Sequence, residues 1–130
     1  MEYKYSDITS QLINAAMEVH RILGTGFQEV IYQRAYEIEL ILKNLFNVLR
    51  EVEMPVSYKG QVIGTRRVDF LINDLISIEI KAVVRLEDVH LAQALNYLEA
   101  YNLEVGLLIN FGANSLEFKR LYNKKYKPAL

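Results

Sequence analysis

At 130 residues the chain has the length of one domain. A domain of that size buries about two-thirds of the surface its unfolded chain exposes, so it can hold a core without covalent staples. The 52% hydrophobic content agrees, and the absence of cysteine excludes disulfides and thiolate zinc sites and makes a reducing compartment the natural setting. The 15 basic and 16 acidic side chains leave a net charge of −1, which argues against a general nucleic-acid coating protein but not against an enzyme acting on nucleic acid. The polar opening MEYKYSDITSQ does not read as a secretion signal. No apolar run approaches the roughly 18 residues of a membrane span. The expectation is a cytoplasmic protein without membrane contact, with 1–130 as a single domain.

Helical spacing of Ile8, Leu12, Ala15, Ala16, Val19, Ile22 and Leu23 predicts a first helix from Ser6 to about Leu23, with Gly24 as its C-terminal stop. A second helix is expected from near Gln28 to about Lys43, with Ile31, Ala35, Ile38 and Leu42 as its inner stripe. The period then changes. Val48 to Tyr58 is rich in β-formers, Lys59-Gly60 suits a turn before Val62-Ile63, and Arg66 to Ile72 reads as a strand. Asn73-Asp74 suits a tight hairpin leading into Leu75 to Lys81, because both residues tolerate positive φ. A third helix from about Glu87 to Ala100 carries Leu91, Ala92, Leu95 and Leu98 on one stripe, and places His90, Gln93 and Tyr97 on the other side. Val105 to Asn110 closes as a buried strand, and the tail beyond Phe111 stays open. The strand–helix–strand unit at the end predicts a parallel pair of strands by a right-handed crossover. The fold class is α/β (α+β by a stricter taxonomy), a mixed sheet flanked by helices.

The chemistry gathers in the strands. In Leu75-Ile76-Ser77-Ile78-Glu79-Ile80-Lys81 the three isoleucines share one face, and Glu79 and Lys81 share the other with Ser77. Asp69, flanked by Val68 and Phe70, points away from its apolar neighbours, and the Asn73-Asp74 hairpin sets it beside the Glu79 strand. Charges among Val, Ile and Phe are costly unless paired or bound to a metal. Two readings are open: a solvent-facing salt-bridge ladder, or a site for a divalent cation. Mg²⁺ suits the second, because it takes oxygen ligands and lowers the pKa of a bound water that can attack a phosphate. Lys81 would then orient or deprotonate that water, or offset the charge developing on the phosphate.

The remaining motifs run in order along the chain. Glu18-Val19-His20 leads to Leu23-Gly24-Thr25-Gly26-Phe27, then Glu29, Tyr32, Tyr36 and Glu39-Leu40. Arg67-Val68-Asp69-Phe70 and Ile78-Glu79-Ile80-Lys81-Ala82 follow, then Gln93 and Tyr97 in the last helix and Gly106 to Phe111 in the last strand. This set resembles the GxxExxY protein family, a branch of the PD-(D/E)XK nuclease superfamily, over nearly the whole chain. The resemblance implies a restriction-endonuclease-like core of order αβββαβ with an extra N-terminal helix. It also implies that Asp69, Glu79 and the helix carboxylate Glu29 ligate Mg²⁺ or Mn²⁺, while Lys81 assists the attacking water. Val68 stands where the superfamily's naming proline would be.

Around that core, Gln93, Tyr97, Tyr32 and Arg67 are expected to line the site, although capping, packing or solvation accounts for such residues equally simply. Glu29 near a helix N-terminus also has a bland reading, since the helix dipole favours a carboxylate there. Arg66, Arg67 and Arg85 suit phosphate clamps or plain solubility. The basic run Lys119, Arg120, Lys124, Lys125 and Lys127 suits a solvated tail or backbone phosphates. No Walker loop, dinucleotide fingerprint or nucleophile elbow is present. The expected function is metal-dependent phosphodiester hydrolysis of nucleic acid, DNA before RNA, by a protein that can pair as a homodimer. A nuclease fold kept as a silent binding module, and a hydrolase of small phosphoesters, are the alternatives.

Overall fold

The computed structural model describes residues 4–128, which form α1 (Ser6–Leu23), α2 (Glu29–Lys43), β1 (Val48–Tyr58), β2 (Gln61–Ile72), β3 (Ile76–Lys81), α3 (Asp88–Ala100), β4 (Val105–Asn110) and β5 (Glu117–Tyr122). The strands make one sheet in chain order, with β3 and β4 parallel and every other neighbouring pair antiparallel. Both expected turns form, and both use left-handed backbone, anticipated at Asn73-Asp74. Lys59 and Gly60 take φ 48° and 81°, and Asn73 and Asp74 both take φ 54°. The tail left open by the sequence supplies β5, which pairs along β4 from Val105↔Tyr122 to Asn110↔Glu117. The two segments expected on either side of Gly64 are one continuous strand, β2.

The α1–α2 pair covers one face of the sheet. Leu12, Ala15, Ala16 and Val19 of α1 pack with Tyr32, Tyr36 and Leu40 of α2 onto Phe70, Ile72, Ile76, Ile78, Ile80, Val105, Leu107 and Ile109. Burying one such isoleucine contributes about 1.5–3 kcal/mol. The other face receives α3. The approach is close at Gly106, where a Cβ would stand 2.8 Å from Ser77 Oγ and 3.0 Å from Leu98 Cδ2 and make one of them shift.

Two helices are turned about their axes relative to expectation. In α2 the buried residues are Tyr32, Tyr36 and Leu40, whereas Ile38 and Leu42 are 60% and 71% exposed and Ile31 also faces outward. A tyrosine can be buried where its hydroxyl finds an acceptor, and both find one. Tyr36 donates to Leu12 O at 2.9 Å and Tyr32 to Gly24 O at 2.6 Å. Their rings fill the space against Phe70 and Phe111, which an isoleucine would leave open. In α3 the inner residues are Ala94, Tyr97 and Leu98, while Ala92 faces solvent. In α1, Ile22 is likewise exposed. No helix among the described residues is long and apolar enough to cross a membrane.

Candidate functional site

The β2–β3 ladder runs Ile72↔Ile76, Leu71↔Ser77 and Phe70↔Ile78, and then stops. The next pair would be Asp69 and Glu79. Opposite Asp69 on the other side, Glu51 of β1 takes φ 57° and drops out of register. The side-chain alternation of β2 breaks at the same point: Phe70 joins the main core, but Val68, two residues away, packs with Tyr97 and Leu71 in a second cluster under α3. In place of a main-chain bond, Asp69 Oδ2 accepts the Ile80 N–H at 2.7 Å. The carboxylate thus occupies the gap where two strands part, and it is reached from both faces of the sheet.

From the α3 face come Glu79 and Lys81. Glu79 hydrogen-bonds Asp69 carboxyl to carboxylate, and burial, followed by the Asp69 charge, pushes it up to about 8. Burial also raises Asp69, against the Ile80 N–H, its bond with Glu79, and the charges of Lys81 and Arg67, which all favour its ionised form. From the α1–α2 face comes Glu29, the first residue of α2, raised by burial and by the charge of Asp69 and held down by Lys81. Lys81 acts on all three carboxylates. Of the four ionisable residues singled out from the sequence, Asp69 and Lys81 are thus each within electrostatic reach of both Glu29 and Glu79.

Glu79 and Lys81 open onto a cavity of about 500 Å³ between β2 and α3, also lined by Arg66, Arg67, His90, Gln93 and Asn96. Gln93 presents an exposed side chain to it, and Arg67 is exposed, 4.0 Å from Glu51 Oε2. Arg66 is committed otherwise: its guanidinium lies 5.5 Å from the Tyr97 ring centroid and bonds Asn96 Oδ1 and the Gln93 carbonyl, tying β2 to α3. Arg85 lines a neighbouring hollow with Val83, Val84, Glu87, Val89 and His90.

Two tyrosines expected at the site sit behind it. Tyr97 is fully buried on the sheet side of α3, with its hydroxyl donating to Met54 Sδ at 3.2 Å, and burial raises it to about 12. Tyr32 also accepts the Phe27 N–H at 3.3 Å and stacks on Phe111 at 5.0 Å, so it fastens the loop from which α2 and Glu29 spring. The histidines serve backbone. His90 Nδ1 accepts the Glu87 N–H at 2.9 Å in a capping box, and His20 Nε2 donates to Ala113 O at 2.9 Å. The basic C-terminal residues are dispersed: Lys125 pairs with Glu99 at 3.0 Å and Arg120 donates to Thr9 Oγ1 at 3.2 Å.

Two residues at the site carry no signal of their own in the sequence. Gln33 Nε2 lies 3.2 Å from Asp69 Oδ1 and 3.4 Å from Glu29 Oε1, and Arg50 donates to Gln33 Oε1 at 3.3 Å. The i, i+4 spacing of Glu29, Gln33 and Glu37 was the available clue.

The donor set is all oxygen, as a hard cation such as Mg²⁺ prefers. A divalent ion would relieve the crowding that now makes Asp69 and Glu79 share a proton. Among the described residues, no three His, Cys, Asp or Glu side chains already stand in ligating positions, so the carboxylates would have to close in around an ion. The fit is one of chemistry and proximity.

This arrangement, a mixed sheet parted at an acidic pair with a lysine beside it, defines a restriction-endonuclease-like α/β protein. A family model described as the PD-(D/E)XK nuclease superfamily matches residues 6–121, and the chain belongs to that superfamily. Comparison with curated proteins finds no match. Among solved structures, "Crystal structure of SSO0001" is similar in fold, with a TM-score of 0.52 and 19% identity over 89% of this chain and 78% of that one.

Proposed function

We propose that the chain is a Mg²⁺- or Mn²⁺-dependent nuclease of the GxxExxY branch, hydrolysing phosphodiester bonds of nucleic acid, with DNA as the first substrate. The observation that carries this reading is the half-buried Asp69–Glu79 pair at the parting of β2 and β3, with Glu79 and Lys81 open to the cavity. Glu29, Asp69 and Glu79 would hold the cation, which when bound supplies charge neutralisation at the phosphate and a more acidic water. Lys81 orients or deprotonates the attacking water from the strand position next to Glu79. Arg67 and Gln93 face the strand being cut, and Tyr97 and Tyr32 hold the elements that carry the site. A cytoplasmic setting accords with a chain lacking cysteine. Two copies would pair for two strands, as the resemblance implies, and sedimentation measures that.

The test is cleavage of single-stranded, duplex and branched DNA, and of RNA, with Mn²⁺ and then with EDTA. Activity that disappears with EDTA and in Asp69→Ala, Glu79→Ala and Lys81→Ala supports the reading, and inertness on every substrate sinks it. A chromogenic phosphodiester in the same series tests the small-substrate alternative. The silent-module reading draws on the net charge of −1 and on carboxylates not yet gathered into ligating positions. Calorimetry separates it, since nucleic-acid binding without cation binding belongs to that module alone.

A further inference from the structure

We infer that Gln33, oriented by Arg50, is the positioning residue that holds Glu29 and Asp69 toward one shared cation; the inference rests on the functional reading above. The two carboxylates come from different layers, a helix on one face of the sheet and a parted strand within it, and no backbone element links them directly. Gln33 does. Its Nε2 is within reach of Asp69 Oδ1 at 3.2 Å and Glu29 Oε1 at 3.4 Å, so one amide group spans both acids.

The direction of that amide is decided by Arg50. A guanidinium has five donors and no acceptor, so the oxygen of Gln33 must face it and the two amide hydrogens must face the acids. Arg50 NH2 approaches Gln33 Oε1 at 3.3 Å. Arg50 is itself held by Glu37 at 3.5 Å, one turn beyond Gln33 on α2, and by Glu51 at 3.6 Å. Its side chain is only 20% exposed, and its Nε is buried without a hydrogen-bond partner among the described residues. The Arg50 guanidinium is thus held between Glu37 and Glu51 with its NH2 turned to Gln33. With Ile80 N–H on Oδ2 and Gln33 on Oδ1, both Asp69 oxygens are fixed, and each has a lone pair for a cation once the Glu79 proton has left. Groups that orient metal ligands in this manner typically change metal affinity by about 10–100-fold when removed.

The experiment is Mn²⁺ titration followed by the EPR signal of free Mn²⁺, on the full chain without nucleic acid. Gln33→Met keeps the volume and removes the amide. It is expected to weaken Mn²⁺ binding about tenfold or more, and Arg50→Met to weaken it in the same direction. The double variant is expected to bind no more weakly than Gln33→Met alone, because the two residues act as one chain. Arg50→Lys, which restores a donor to Gln33 Oε1, is expected to recover affinity relative to Arg50→Met. Gln33→Asn, which keeps the amide but shortens its reach, replaces Gln33→Met if that variant does not fold. A residue that merely fastens α2 to β1 would lower the unfolding temperature and leave Mn²⁺ affinity within about twofold of the parent, and that result overturns the inference. A parent protein that binds no Mn²⁺ overturns the cation site itself, a separate and visible failure.

Discussion

The two ends of the β2–β3 pair are built from the same kind of strand and do opposite things. At the Ile72↔Ile76 end the ladder is regular, Ile72, Ile76 and Ile78 are fully buried, and a tight turn seals the pair. At the Asp69–Glu79 end the ladder stops, a carboxylate takes over a backbone bond, and a second acid is buried against the first. The closed end gains free energy from every methylene it hides. The open end gives stability up, holding two like groups together half out of water, which favours whatever binds both. Stability and binding capacity are thus separated along one hairpin about three residue pairs long.

The sharpest way to break that contrast is to substitute at the open end. Lys81→Ala is expected to lower cleavage by about 10²–10⁴-fold, the usual range for losing a group that handles the transferred proton, while the unfolding temperature barely moves. An unchanged rate would remove Lys81 from the chemistry. Next in size is the closed end, where Ile78→Ala should cost about 2–5 kcal/mol in denaturant unfolding and leave turnover per folded molecule intact. A cost below about 1 kcal/mol would mean that the core face of β3 is not packed as described.

A third expectation concerns pH. Glu79 titrates near 4.5 when ordinary and near 8 in the folded protein. The folded state therefore holds this proton more tightly than the unfolded one. The associated stability is fully present below about pH 4.5, declines as pH rises, and is gone above about 8. Asp69, also raised, pushes the same way. The metal-free protein should thus unfold at falling temperature across this window. Glu79→Gln should flatten the trend, and Mn²⁺ should bind more tightly as the pair ionises. A metal-free protein that grows more stable over the same range contradicts the shared proton. Smallest is Tyr32→Phe, which removes the bonds to Gly24 O and Phe27 N–H and is expected to cost about 1 kcal/mol, with activity reduced only through looser placement of Glu29. If activity falls with no loss of stability, Tyr32 belongs to the site itself.

Much of this was legible in the linear chain. Strand period separated Ile76, Ile78 and Ile80 from Glu79 and Lys81, and the turn chemistry of Asn73-Asp74 brought Asp69 alongside. What periodicity misjudged was the rotation of helices with apolar residues on more than one side. Ile38 and Leu42 looked like the core of α2, but Tyr32 and Tyr36 hold it, because rings with a hydroxyl acceptor at hand fill more space. Tyr97 was expected opposite the leucines of α3 and is instead sealed over Val68. Gln33 shared a helix face with Glu29 and Glu37, but its role and that of Arg50 are identifiable only once a strand 36 positions away has arrived.

The sequence by itself determined the element order as far as β4, the two hairpins, the membership in a nuclease-like fold and the placement of four ionisable residues on neighbouring elements. The elements and hairpins follow from side-chain period and local φ preferences, which act over a few residues, and the fold membership and the place of Glu29 from the resemblance of the ordered motifs to a family. Tertiary structure alone decided which face of each helix is inner, where the β2–β3 ladder stops, and that Asp69 and Glu79 come together there. Those outcomes depend on volume filled and hydrogen bonds satisfied between segments distant in the chain, and no local period encodes either.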